Sequence, residues 1–180
     1  MDVGQVGKRD HPGRGYTREM PNASLRAVGV NRLALKLMQP YWRLRRGFTL
    51  GAQGAVVDED KRVLLVRHTY RPGWFFPGGG VEWGETLETA LARELAEEAA
   101  VELTGRAQLH GVFSNFKRFP GDHVALFVVR RWSRPETSKT SAEIAEARFC
   151  AFDALPAGTD AATRRRLAEI FDGATPSQNW

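Results

Sequence analysis

The chain has 180 residues, 42% hydrophobic and 26% charged, with 18 Gly, 9 Pro and one Cys. That length holds one domain with a proper core plus modest extensions, and the apolar content excludes a disordered chain. The lone Cys150 excludes an intrachain disulfide framework and any cluster of cysteine metal ligands.

The net charge of +5 is unevenly placed. Residues 1–50 carry 10 Lys/Arg against 3 Asp/Glu, and the rest carry 16 against 18. The basic character therefore belongs to an N-terminal arm. No aromatic-basic repeat or nucleic-acid module accompanies it, so a solvated leader and a docking helix are expected. The longest apolar run, HVALFVV at 123–129, is strand-sized, well short of the roughly 18 residues of a membrane span. The first residues lack an apolar core of the secretory type, so a soluble, cytoplasmic protein is expected.

Residues 1–22 are polar and aperiodic and read as a basic tail. Within 23–47, Ser24 to Gln39 places Leu25, Val28, Leu33, Leu35, Leu37 and Met38 at helical spacing, and Pro40 ends that helix. This basic amphipathic extension has the composition of a membrane-surface contact over 24–46, but packing on its own domain is the preferred reading. From Phe48 the pattern changes. Leu50–Asp58 and Arg62–Arg67 read as two strands of a hairpin turning at Glu59-Asp60. The Gly- and Pro-punctuated loop HTYRPGWFFPGGG follows, then a helix over Thr86–Ala99. Strands are expected near 107–114, 123–132 and Ala147–Phe152, a polar loop at 133–142, and a closing helix over Asp160–Phe171. The expected fold class is α/β (α+β), with a domain over 48–173 and a C-terminal tail at 174–180.

The chemistry concentrates between Gly79 and Val101, GGVEWGETLETALARELAEEAAV. On a wheel of about 100° per residue, Leu87, Leu91 and Leu95 form one apolar stripe. With Glu94 at zero, Glu98 falls near 40°, between Leu87 and Leu91, and Glu97 near −60° on the other flank. A solvated face with an Arg93–Glu97 pair explains part of the run but leaves Glu98 inside the stripe. Carboxylates held there lose hydration and repel each other, and a divalent cation is the natural compensation. Three carboxylates at i, i+3 and i+4 are hard ligands, suited to Mg²⁺ or Mn²⁺ rather than zinc.

Gly79, Glu85 and Arg93-Glu94-Leu95-x-Glu97-Glu98 stand at the spacing of the Nudix box, G-x5-E-x7-R-E-U-x-E-E-x-G-U, and the segment resembles it closely. Six such identities arise by chance in roughly 10⁻⁵ of chains this size, so the resemblance is specific. Trp74-Phe75-Phe76-Pro77-Gly78 resembles the usual lead-in. One position departs: the last Gly of the box is Ala100, which must either end the helix differently or bear a left-handed turn. The resemblance implies a Nudix-type α/β/α sandwich around a mixed sheet. It also implies a metal-dependent hydrolase that cleaves a nucleoside diphosphate linked to another moiety. Position by position, it implies Glu97 and Glu98 as metal ligands and Glu94 as a third ligand or the base that takes a proton from water. The Gly79 carbonyl would complete the coordination, Arg93 would orient Glu94, and Glu85 would support the loop–helix junction.

On the substrate side, Arg67 is a candidate phosphate contact, and Trp74, with His68 and Tyr70, a candidate for stacking on a base. Lys117 and Arg118 sit in a loop with phosphate-binding character. Glu136, Glu143 and Glu146 are available as a distal carboxylate of the kind some relatives add. His123 reads as structural and the arginines 164–166 as a solvated face. ADP-ribose or nucleotide sugars, nucleoside triphosphates and 5′-triphosphorylated RNA stay open as substrates. A homodimer is common among such proteins. The contrasting reading is a non-catalytic Nudix domain that senses a nucleotide; retention of Glu85, Arg93, Glu94, Glu97 and Glu98 favours the enzyme.

Overall fold

The computed structural model describes residues 47–135 and 141–180. The expected tail at 1–22, the N-terminal helix and its membrane contact at 24–46, and Glu136 lie outside the described residues. The elements are β1 (Thr49–Val56), β2 (Val63–His68), β3 (Gly78–Gly80), α1 (Leu87–Ala99), β4 (Glu102–Leu103) and β5 (Gln108–Ser114). They continue with β6 (Asp122–Val129), β7 (Trp132–Ser133), β8 (Ile144–Cys150) and α2 (Ala161–Phe171), with a 3-10 turn at Phe152–Ala154 before α2. Among the described residues no helix is long and apolar enough to cross a membrane.

A mixed four-stranded sheet has the order β3-β1-β6-β5, and β2 pairs with β8 in a separate antiparallel ribbon. β1 runs parallel to β6 from Thr49↔Asp122 to Val56↔Val129, and antiparallel to β3 at Ala52↔Gly79. Period-2 alternation sends successive side chains to opposite faces. Ala52, Val56, Leu64, Ala125 and Phe127 pack with Leu91 and Leu95 of α1. Ala55, Val63, Leu65 and Leu126 pack instead with Leu167 of α2. Each of the buried Val, Leu and Phe side chains contributes about 1.5–3 kcal/mol, so the alternation itself assembles helix, sheet and helix into an α/β/α sandwich.

The expected hairpin is corrected to one bridge, Val57↔Val63. A strand has only two hydrogen-bonding edges, and β3 and β6 occupy both edges of β1, so β2 finds its partner in β8. The last strand begins earlier than expected, at Ile144, and the segment expected at 123–132 divides into β6 and the short β7, which pairs with β4.

Two further readings are corrected. Arg166, expected on a solvated face, is fully buried. Its guanidinium lies over the Phe113 ring, 4.0 Å from the centroid, and 2.7 Å from Glu169, which also meets His110. Residues 174–180, expected as a tail, run back along β5: Ser114 donates to the Gln178 carbonyl and Trp180 donates to that of Ser114. The Trp180 ring then packs on Phe76 and Phe113.

Ala100 takes the left-handed turn, with φ 54° and ψ 38°. Its N–H donates to the Ala96 carbonyl and Val101 N–H to that of Leu95, closing α1. A side chain in that conformation costs about 1 kcal/mol. Ala100→Gly should therefore raise the thermal unfolding midpoint by a few degrees, read by calorimetry; an unchanged or lower midpoint would show that the turn is unstrained.

Candidate active site

The loop before α1 is built from glycine. Gly78 has φ +141°, and a Cβ there would overlap the Ala52 carbonyl of β1. A Cβ on Gly79 would overlap the Glu94 carboxylate, so the bare backbone of β3 lies directly against that side chain. Thr86 caps α1 by accepting from Thr89 N–H at 3.1 Å. The helix then carries its acidic residues past the glycine strand.

Arg93 ties loop to helix. Its Nε donates to Glu85 at 2.9 Å, Nη1 to Glu94 at 2.7 Å, and Nη2 to the Gly80 carbonyl at 3.0 Å. Glu85 also accepts from Glu82 N–H. The Arg93 guanidinium, with that N–H, holds the Glu85 carboxyl down at about 2. Glu94 is pushed up from the ordinary range by burial, against the pull of Arg93.

Glu98 is buried, with 11% of its side chain exposed, and accepts from Gly78 N–H at 2.8 Å. Burial pushes its carboxyl up to about 7; the Gly78 bond opposes this, and the neighbouring Glu94 charge reinforces it. Glu97 turns outward, 56% exposed, with its carboxylate 3.7 Å from Arg93. The wheel positions of all three are thereby met.

Glu94 and Glu98 face a cavity of about 890 Å³, walled on one side by Gly78, Gly79 and Gly80. That volume falls in the range of sites that enclose a small-molecule ligand. Glu143 also lines it, from the segment entering β8, where its carbonyl accepts from Thr69 N–H at 2.8 Å. Arg71, Lys117, Arg118 and Arg165 bring positive charge to the same cavity, and Tyr70, Phe75, Phe119 and Trp180 bring aromatic surface. His68 lies beneath, buried, its Nδ1 3.7 Å from Glu98.

Arg67 and Trp74 are not in this wall, which corrects their reading as substrate contacts. Arg67 points out from β2 and pairs with Glu146 at 3.2 Å. Trp74 is buried in the core beside α2, with the Arg148 guanidinium 4.4 Å and that of Arg67 5.8 Å from its ring. Strand alternation at β2 turns Arg67 to solvent and His68 inward, and Trp74 follows the loop into the core. Glu146 is occupied on that outer face, so of the distal carboxylates Glu143 alone among the described residues lines the cavity. Arg71 had no motif to announce it.

Among the described residues no three His, Cys, Asp or Glu side chains group closely enough to hold an ion alone. The donor set still fits a hard cation. Mg²⁺ and Mn²⁺ are commonly held by one or two carboxylates completed by water and phosphate oxygens. Glu98, buried beside Glu94 and with no Lys or Arg ion pair among the described residues, is the carboxylate such an ion would keep ionised.

Comparison with known proteins identifies the family. The NUDIX-domain family model matches residues 48–170, and the chain belongs to the Nudix family. A MutT-like protein of Streptomyces ambofaciens is 30% identical over 128 residues, covering 71% of this chain and 80% of its own length. An 8-oxo-dGTP diphosphatase of Proteus vulgaris is 34% identical over 94 residues, covering 49% of this chain and 81% of its own. The crystal structure of a MutT Nudix hydrolase from Burkholderia pseudomallei matches with a TM-score of 0.59 at 28% identity, covering 68% of this chain and 97% of the other. The protein is thus a MutT-type hydrolase of pyrophosphate bonds, in a family that works with divalent metal ions.

Proposed function

We propose that this chain hydrolyses the diphosphate linkage of a nucleoside diphosphate joined to another moiety, ADP-ribose, a nucleotide sugar or a nucleoside triphosphate, using Mg²⁺ or Mn²⁺. The observation that carries the reading is Glu98, a carboxylate buried against the core yet opening onto a nucleotide-sized cavity beside Glu94. A bound cation supplies charge that neutralises phosphate oxygens and lowers the pKa of coordinated water.

The residues divide the remaining work. Glu98 and Glu97 would hold the ion with the Gly79 backbone alongside, and Glu94 would serve as a third ligand or as the base. Arg93, fixed by Glu85, keeps the Glu94 carboxylate against the glycine strand. The proton of the attacking water goes to Glu94 or to Glu143, both of which line the cavity. The aromatic surface offers a place for the base, and the cations receive the phosphates.

The test is phosphate release from ADP-ribose, nucleotide sugars, ordinary and oxidised nucleoside triphosphates and 5′-triphosphorylated RNA. Each is assayed in Mg²⁺, Mn²⁺ or EDTA with a coupling phosphatase. Metal-dependent turnover of one class is expected. Silence across the panel with nucleotide binding intact would make the domain a sensor.

A further inference from the structure

The sequence HTYRPG places Arg71 before Pro72 and Gly73, where the chain turns from β2 toward the glycine loop. Its side chain folds back over Phe75, with the guanidinium carbon 3.8 Å from the ring centroid, a cation–π distance. Nη2 lies 3.1 Å from His68 Nε2. A guanidinium has no lone pair to offer, so it is the donor, Nε2 is the accepting nitrogen, and the ring proton of a neutral His68 sits on Nδ1. That Nδ1 has no hydrogen-bond partner among the described residues, and it faces Glu98 at 3.7 Å. Arg71 is therefore braced on two sides, with His68 standing between it and the carboxylate at the centre of the site.

Its charge, in contrast, has no close ion-pair partner among the described residues. Glu98, Glu143 and Asp160 line the same cavity without forming an ion pair with it, and its Nε is buried without an acceptor. Burial pulls the guanidinium below its ordinary value and Arg118 adds to this, while Tyr70, Glu98 and Asp160 oppose it from a distance. A partly buried charge with counter-charges only at a distance is costly, and an incoming anion in direct contact offsets the cost. A planar guanidinium fork suits the paired oxygens of a phosphate group.

We propose that Arg71, held by His68 and Phe75, is the cation that grips one phosphate group of the substrate, while the other lies toward Glu94 and Glu98, where a divalent cation would meet it. This rests on the pyrophosphate-hydrolase reading for its catalytic consequence, but the grip itself is a binding property. It makes a diphosphate, with two anionic groups in one ligand, the minimal unit the cavity recognises.

The test uses inorganic pyrophosphate as the probe, titrated calorimetrically into the full chain in Mg²⁺ and in EDTA, for wild type, Arg71→Met and Arg71→Lys. The wild type should bind in at least one condition, and Arg71→Met should weaken binding by about tenfold to a hundredfold, the range for a lost charged hydrogen bond. Arg71→Lys should recover only part of this, because it keeps the charge but loses the fork. With any hydrolysed substrate, KM should rise more than kcat falls. Equal affinity in wild type and Arg71→Met would overturn the proposal, as would no binding by wild type in either condition. If Arg71→Met unfolds, Arg71→Lys and Phe75→Leu carry the test, and wild-type affinity in both would equally overturn it. Arg71-dependent binding without hydrolysis of any panel member would support the grip while sinking the hydrolase reading.

Discussion

Glu98→Gln should fold normally and lose hydrolysis by at least about a thousandfold, or some 4 kcal/mol of transition-state stabilisation. The substitution preserves volume, and the amide oxygen can still accept from Gly78 N–H. What disappears is the negative charge that holds the cation. The same change should stabilise the metal-free protein above neutral pH. In the fold the Glu98 carboxyl is raised from the ordinary 4.5 to about 7. A group raised in this way contributes stability that is complete below its unfolded value and lost as pH climbs through its folded one. Metal-free wild type should therefore weaken between mildly acid and alkaline pH by up to about 3 kcal/mol, while Glu98→Gln shows a flatter profile. Mg²⁺ or Mn²⁺ should raise the melting temperature of wild type at alkaline pH and leave the variant nearly unmoved. Near-normal turnover in folded Glu98→Gln, or a metal-free variant less stable than wild type at alkaline pH, would remove Glu98 from the centre of the site.

That residue was legible from the chain because helical geometry is local. An i, i+4 stripe of Leu87, Leu91 and Leu95 leaves little choice about where Glu98 points, and the structure buries it there. The box spacing marked Arg93 and Glu85 as supports of Glu94 and of the loop–helix junction, and the structure adds that the two pair with each other. The α/β/α layering was legible only through the family resemblance, and strand alternation is what realises it. Features that depend on distant partners were not legible. Whether Trp74 faces ligand or core is decided by α2 and by Arg148 of β8, both far along the chain. Glu143 reaches the cavity because its carbonyl pairs with Thr69 across the β2–β8 ribbon, and nothing in its neighbourhood distinguishes it from Glu146. Arg166 looked like part of a charged face because its counter-ion, Glu169, lies one turn on, while its covering ring, Phe113, comes from β5.

Arg93→Met should show how much of the site is held by one side chain that the proposed mechanism never brings to the reacting atoms. Arg93 bridges Glu85, Glu94 and the Gly80 carbonyl, so its loss releases the glycine strand from α1 and leaves Glu94 without its counter-charge. Glu94 is already pushed upward by burial, and Arg93 is the first group opposing that push. Without Arg93 its carboxyl should rise further and bind protons in competition with the cation. The expected result is a shift of metal activation to concentrations about tenfold to a hundredfold higher, the usual cost of losing a group that orients a metal ligand. Turnover at moderate metal should fall by a similar factor, and the activity profile should move toward higher pH. Arg93→Lys should rescue only part of this, since an ammonium cannot reproduce the three directions of the guanidinium. A variant with reduced turnover but an unchanged metal requirement and pH profile would show that Arg93 acts on the fold of the loop alone. The distinction matters because Glu94 can hold the ion or take the proton only as a carboxylate, and Arg93 is the group in this chain that keeps it one.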